Sequence, residues 1–202
     1  MARRSDNSRD EVRQMAIDAG QKLLSEQGFR NFSARAVAKQ IGYTIGTIYN
    51  IFEDHDLFLL RIHAVTLGDM ASFLRESISG KSPSQKNIKI LAHAYKKFAE
   101  KNYNRWSSLF EYNFPTEKEM PDWYVEKIAT LLSIVEEQLV DKIKDKKDAK
   151  TSAKVLWAGI HGVCILGLTR RLDISGKVSV DSLIDNLLDN YFDGAYVFNK
   201  PD

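Results

Sequence analysis

The chain has 202 residues, 44% of them apolar and 28% charged, with a formal net charge of +2. That balance excludes a disordered tail and leaves room for a core plus a small second module. Eleven glycines and four prolines are few for a turn-dense β protein, and the single cysteine, Cys164, excludes an intrachain disulfide or a cysteine-based zinc site and fits a reducing compartment.

The first helix is expected to begin after Ser8, which stands in capping-box register with Glu11. Val12, Met15, Ala16, Ala19, Leu23 and Leu24 then recur at helical steps, and Gly28 supplies a stop. Ser33 can cap a short helix over 34–40, packed through Ala34, Val37, Ala38 and Ile41. Gly42 follows, at a turn that a side chain would obstruct. Thr44 can cap a third helix to about Phe52, and Asp54 a fourth, longer one to about Ser79.

"GKSPS" at 80–84 reads as a linker. Helices are expected over about 84–102 and 105–113, with a break at "FPTEKEMP". A long helix is expected from Asp122 to about Lys146, ending in a lysine-rich turn. An apolar helix from Asp148 to about Leu172, a loop at "DISGKVS" and a last helix from about Val180 to Asn199 complete the chain. The prediction is an all-α fold of about nine helices, without strands or repeats.

Charge is unevenly placed. Residues 1–52 hold eight Lys/Arg and five Asp/Glu, whereas residues 53–202 hold 21 and 22. A basic module on a neutral body fits a polyanionic partner. The start, "MARRSDNSRDE", lacks the apolar stretch of a secretory signal. The longest near-apolar run, residues 155–168, is 14 residues with a histidine inside, which suits a buried helix better than a membrane span. The expectation is a cytoplasmic protein with no membrane partner.

Two short helices joined near Gly42 give helix-turn-helix geometry, in which the second helix can lie in the DNA major groove. Spacing alone leaves open an ordinary corner in a helical bundle. The joint pattern of Gly28-Phe29, Phe32-Ser33, Val37-Ala38, Gly42, Gly46-Thr47, Ile48-Tyr49, Phe52 and Asp56 with Leu57 or Leu59 resembles the N-terminal domain of TetR-type transcriptional regulators. The resemblance covers about residues 12–60. Further on, Trp157-Ala158-Gly159-Ile160-His161-Gly162 is similar to the Trp-His-Gly motif of one C-terminal subgroup of that family.

The resemblance implies a DNA-binding domain at 1–56 and a helical ligand-binding and dimerisation domain at 57–202. It also implies a homodimer, an inverted-repeat operator, and a small-molecule inducer that releases a repressor from DNA. Tyr49 takes the place of the family's phosphate-contacting tyrosine. Ile51 and His55 depart from the family pattern, and a neutral imidazole at His55 makes a weaker phosphate contact than the usual lysine.

Residue chemistry extends this reading. Thr44 and Ser33 sit at helix N-termini, where free N–H groups favour an anion. Ile45, Thr47 and Asn50 are base-edge candidates, with Asn50 suited to adenine and Ile45 to a thymine methyl. Ile48 reads as core. Arg35 can reach guanine or phosphate, and Arg3 and Arg4 can track phosphates or enter a narrow minor groove. The aromatic middle region supplies pocket-rim candidates, Trp106, Phe110 and Trp123, with Trp157 and His161 beyond them; helical spacing equally allows plain core. His161 and Cys164 share a helix face but make only two ligands, so no metal and no cofactor is expected. The last two helices are the expected dimer surface. With no phosphate loop and no nucleophile elbow, an enzyme is not expected. The rival reading is an all-α ligand-binding or protein-interaction module without a DNA role.

Overall fold

A computed structural model describes residues 7–139, 143 and 145–198. Among the described residues there are nine α-helices and no strand: α1 (Arg9–Gln27), α2 (Ala34–Gln40), α3 (Ile45–Phe52), α4 (His55–Ser77), α5 (Gln85–Lys101), α6 (Tyr103–Glu111), α7 (Asp122–Glu136), α8 (Lys146–Leu168) and α9 (Val180–Phe198). The chain packs as two compact units. One comprises the chain up to Asp69 with Asn102–Lys127; the other comprises Met70–Lys101 with the chain from Ile128 onward.

The first unit is built around α1. Ser8 Oγ accepts from the Glu11 N–H, and the Glu11 carboxylate accepts from the Ser8 N–H at 2.6 Å, closing the expected capping box. Val12, Ala16, Ala19, Leu23 and Leu24 turn inward onto Val37 and Ala38 of α2, Ile48, Ile51 and Phe52 of α3, and Phe58, Leu59 and Ile62 of α4. Each large aliphatic or aromatic side chain so buried contributes roughly 1.5–3 kcal/mol. Gly20 lets α4 lie close: a Cβ there would stand 2.4 Å from Ile62 Cδ1. On the far side of α1, the Asn104 amide of α6 donates to the Ser25 carbonyl at 2.8 Å.

The second unit packs α5, α8 and α9. Leu91, Tyr95 and Phe98 of α5, Leu156 and Ile160 of α8, and Ile184 and Leu188 of α9 are all buried. Ions join α5 to α9 at the surface: Lys96 Nζ lies 3.0 Å from Asp181, Lys89 Nζ 3.0 Å from Asp189, and His93 bridges Asp181 and Asp185. The helix α9 approaches α8 over Gly159, where a Cβ would stand 3.0 Å from Leu187 Cδ2, and over Gly167.

The limits of α7 and α8 differ from expectation. Helix α7 ends at Glu136 rather than near Lys146. There the N–H groups of Gln138 and Leu139 bond three residues back, to Val135 and Glu136, which tightens the last turn. Gln138 is buried, and its carbonyl oxygen accepts from Asn87 Nδ2 at 2.8 Å and from the Ser84 N–H at 3.3 Å. Helix α8 starts at Lys146, because Asp145 caps the N–H groups of Lys147 and Asp148, and stops at Leu168. Arg170 takes a left-handed conformation, φ 58°, and a 3₁₀ turn over Arg171–Ser175 replaces part of the expected loop.

Helices α4 and α8 are each long and apolar enough to cross a membrane by length and composition alone. Half of the apolar window of α4 is buried within the protein, but only 22% of that of α8. The apolar exposure on α8 includes Val155, Trp157 and Leu166.

Candidate nucleic-acid interface

The helix-turn-helix segment is α2, the turn at Gly42 and α3, and its geometry follows from three local features. Ser33 Oγ accepts from the Ala36 N–H and starts α2. At the turn, Gly42 has φ +81°, a conformation that side chains oppose, yet a Cβ there would have no neighbour within 4 Å. The demand for glycine is therefore a backbone demand and not the expected obstruction. Thr44 Oγ1 accepts from the Thr47 N–H at 3.3 Å and stands 3.2 Å from the Thr47 hydroxyl, capping α3 and tying its two threonines together.

Helix α3 has two distinct faces. Ile48 is wholly buried, and Ile51 and Phe52 nearly so. Thr44, Tyr49 and Asn50 are exposed, with Ile45 and Thr47 partly so. The position of Ile51 thus has a plain reason: it is core, not surface. His55, at the start of α4, is half-buried with its ring 6.3 Å from that of Phe32. On α2, Arg35 and Lys39 are exposed. No acidic residue occurs between Ala34 and Phe52, so this surface carries only positive formal charge. Arg3 and Arg4 lie outside the described residues.

Sequence reasoning missed most of the bracing of this segment. Arg9 Nη2 donates to the Asn50 carbonyl at 2.9 Å, so α1 holds the C-terminal half of α3 from a residue 41 positions away. Asn7 Nδ2 donates to the Tyr43 hydroxyl at 3.4 Å. Beneath the start of α4, Asp54 caps the Leu57 N–H at 2.8 Å, and Lys118 bonds both Asp54 and Asp56. The Lys118 hydrogen bond is the largest influence on Asp56; burial opposes it, Tyr112 assists it, and the carboxyl is held below the usual range. Of these contacts only the Asp54 cap was expected from the sequence.

The five pocket candidates fall in both units. Trp106 is wholly buried, with its ring 5.5 Å from Phe110. Trp123 lies under the Arg61 guanidinium, 3.7 Å from ring to cation. In the second unit, Trp157 is exposed on one side and stacks on His161 at 5.5 Å, and His161 Nδ1 lies 3.0 Å from the Tyr95 hydroxyl. Burial lowers the proton affinity of His161 and pushes the Cys164 thiol up to about 12, which leaves that thiol inert at neutral pH. No cluster of three potential metal ligands occurs among the described residues.

The sequence matches two family signatures, "Bacterial regulatory proteins, tetR family" over residues 16–62 and "Tetracyclin repressor-like, C-terminal domain" over residues 88–191. The chain belongs to the TetR family of transcriptional regulators. Solved TetR-like folds are similar along nearly the whole chain. A protein of unknown function from Rhodococcus sp. RHA1 has a TM-score of 0.72 at 18% identity, covering 96% of this chain and 98% of its own. A TetR-like transcriptional regulator from the same organism has a TM-score of 0.58 at 18% identity, covering 96% and 100%. The regulator FadR from Bacillus subtilis, in complex with stearoyl-CoA, has a TM-score of 0.63 at 16% identity, covering 88% and 96%. No curated protein matches the chain.

Proposed function

We propose that this TetR-family regulator is a ligand-responsive repressor that binds an inverted-repeat operator as a homodimer and leaves it when a small-molecule inducer binds. The observation that carries the reading is the two-faced α3: Ile48, Ile51 and Phe52 anchor it, and Thr44, Thr47, Tyr49 and Asn50 face outward. Residues 1–56 form the DNA-binding part and residues 57–202 the ligand-binding and dimerisation part. Tyr49, Ser33, Thr44, Arg3, Arg4 and His55 contact phosphates; Ile45, Thr47, Asn50 and Arg35 face base edges.

Dimerisation is assigned to α8 and α9. Val155, Ala158, Gly162 and Leu166 follow one another at steps of three and four residues along α8, and Gly162 has no neighbour within 4 Å of a Cβ. A two-fold contact between copies covers such a stripe. Trp157, His161 and Tyr95 support a Trp-His-Gly type of effector domain and a ligand site in the second unit, and the acyl-CoA held by the B. subtilis FadR fits that plan. We assign the protein to the cytoplasm and to regulation rather than catalysis.

The test is selection of duplex DNA from a random pool by the full chain, followed by footprinting. Recovery of an inverted repeat supports the proposal. Recovery of no common sequence favours the rival, a helical ligand-binding or interaction module without a DNA role.

A further inference from the structure

Where α3 ends, the first unit holds a half-open cavity of about 170 Å³. Its apolar wall is Ile51, Phe52 and Leu57, and its polar wall is Arg13 of α1, Arg61 of α4 and Glu53. Trp123 of α7 closes one side. The volume is well below the roughly 300–1,000 Å³ of drug-sized pockets, so it suits a charged group on a small carbon frame.

The two arginines are poorly provided for by the protein. Neither has an ion pair or a hydrogen bond to protein among the described residues; Arg13 lies over the Phe52 ring, 5.9 Å from its centroid, and its Nε is buried without a hydrogen-bond partner. The Arg61 guanidinium lies over the Trp123 ring at 3.7 Å, which engages its face and leaves its in-plane N–H donors for another group. Burial and the neighbouring Arg13 charge lower the proton affinity of Arg61, and Glu53 offsets them only in part. Glu53 is the one acid in the lining, so the cavity carries a net positive charge. Both guanidinium groups line the same cavity, and carboxylates and phosphates match the fork of donors that a guanidinium presents. Ile51 and Leu57 beside the two cations leave room for a small carbon frame on that oxyanion.

We propose that Arg13, Arg61 and Trp123 form a binding pocket for the oxyanion group of a small carboxylate or phosphate compound, at the C-terminal end of α3. The pocket lies in the DNA-binding unit and is additional to the effector site placed near His161. Binding there is read without DNA, so it stands or falls independently of the operator reading.

The test is calorimetric titration of the full chain at low ionic strength with two probes, inorganic phosphate and benzoate. Saturable binding of one or both is expected, and tells a free phosphate from a carboxylate-bearing frame. R61Q is expected to weaken binding by about tenfold or more, and E53Q, which removes the repelling carboxylate, to tighten it. Circular dichroism checks folding; if R61Q does not fold, the exposed E53Q decides alone. No saturable heat with either probe, affinities unmoved by E53Q, or displacement of the bound probe by duplex DNA overturns the proposal.

Discussion

The Tyr112 hydroxyl donates a 2.7 Å hydrogen bond to Asp56 Oδ1. Asp56 belongs to the helix-turn-helix pattern, and Tyr112 follows α6, 56 residues later. Within the first unit this bond, with Lys118 on the same carboxylate, ties the start of α4 to a part of the chain outside the sequence motif. Tyr112→Phe removes one donor from a partly solvated carboxylate. The expected loss is about 1 kcal/mol, at the low end for a bond to a charged group. Urea unfolding of the variant against the parent chain measures it; an unchanged midpoint would show the bond to be incidental.

His63 gives the stability a pH signature. It is 1% exposed, and burial pushes its pKa from 6.5 down to about 4. The unfolded chain therefore takes up the proton more readily than the folded one. Stability is full above about pH 6.5 and falls as the pH drops toward 4, by about 3 kcal/mol. The depressed Asp54 and Asp56 carboxyls act separately, their contribution being lost only below about pH 4. His63→Phe is expected to flatten the upper part of the acid limb. Melting temperatures between pH 7 and 4 check this, and an unaltered slope in the variant would refute it.

Gly167 is a packing residue that no turn demands. A Cβ at that position would stand 2.4 Å from Val180 Cγ2, and valine is stiff about χ1. Gly167→Ala gains about 1 kcal/mol in helix propensity but overpacks the contact by about 1–3 kcal/mol, for a net loss of about 1 kcal/mol. Thermal unfolding reads the sign, and a stabilised variant would contradict the packing of α9 on α8.

Much of this was legible in the sequence because it is local. The Ser8–Glu11 box, the Thr44 cap and the burial of Ile48 follow from spacing alone, and all appear as expected. What was not legible depends on distant partners. Arg9 reads as a surface cation until Asn50 stands beside it. Where α7 ends, the Gln138 side chain accepts from Asn87 and Ser84, partners some fifty residues away. Arg61 and Trp123 carry no local pattern that would pair them.

The exposed stripe on α8 yields a prediction about assembly. Val155 is 52% exposed in the single chain. Val155→Glu should leave the helix content unchanged and convert the proposed dimer to monomer, read by sedimentation at matched concentrations. A variant that stays dimeric would move the interface off this face.

The central claim, that the outward face of α3 reads DNA, is tested most directly by comparing the sequence profiles selected by the parent chain, Tyr49→Phe and Asn50→Ala. The account predicts salt-sensitive, sequence-selective binding by the parent. Tyr49→Phe should weaken binding evenly across sites, whereas Asn50→Ala should alter the preferred sequence. A profile left unchanged by Asn50→Ala, or no selective binding by the parent chain, would contradict it.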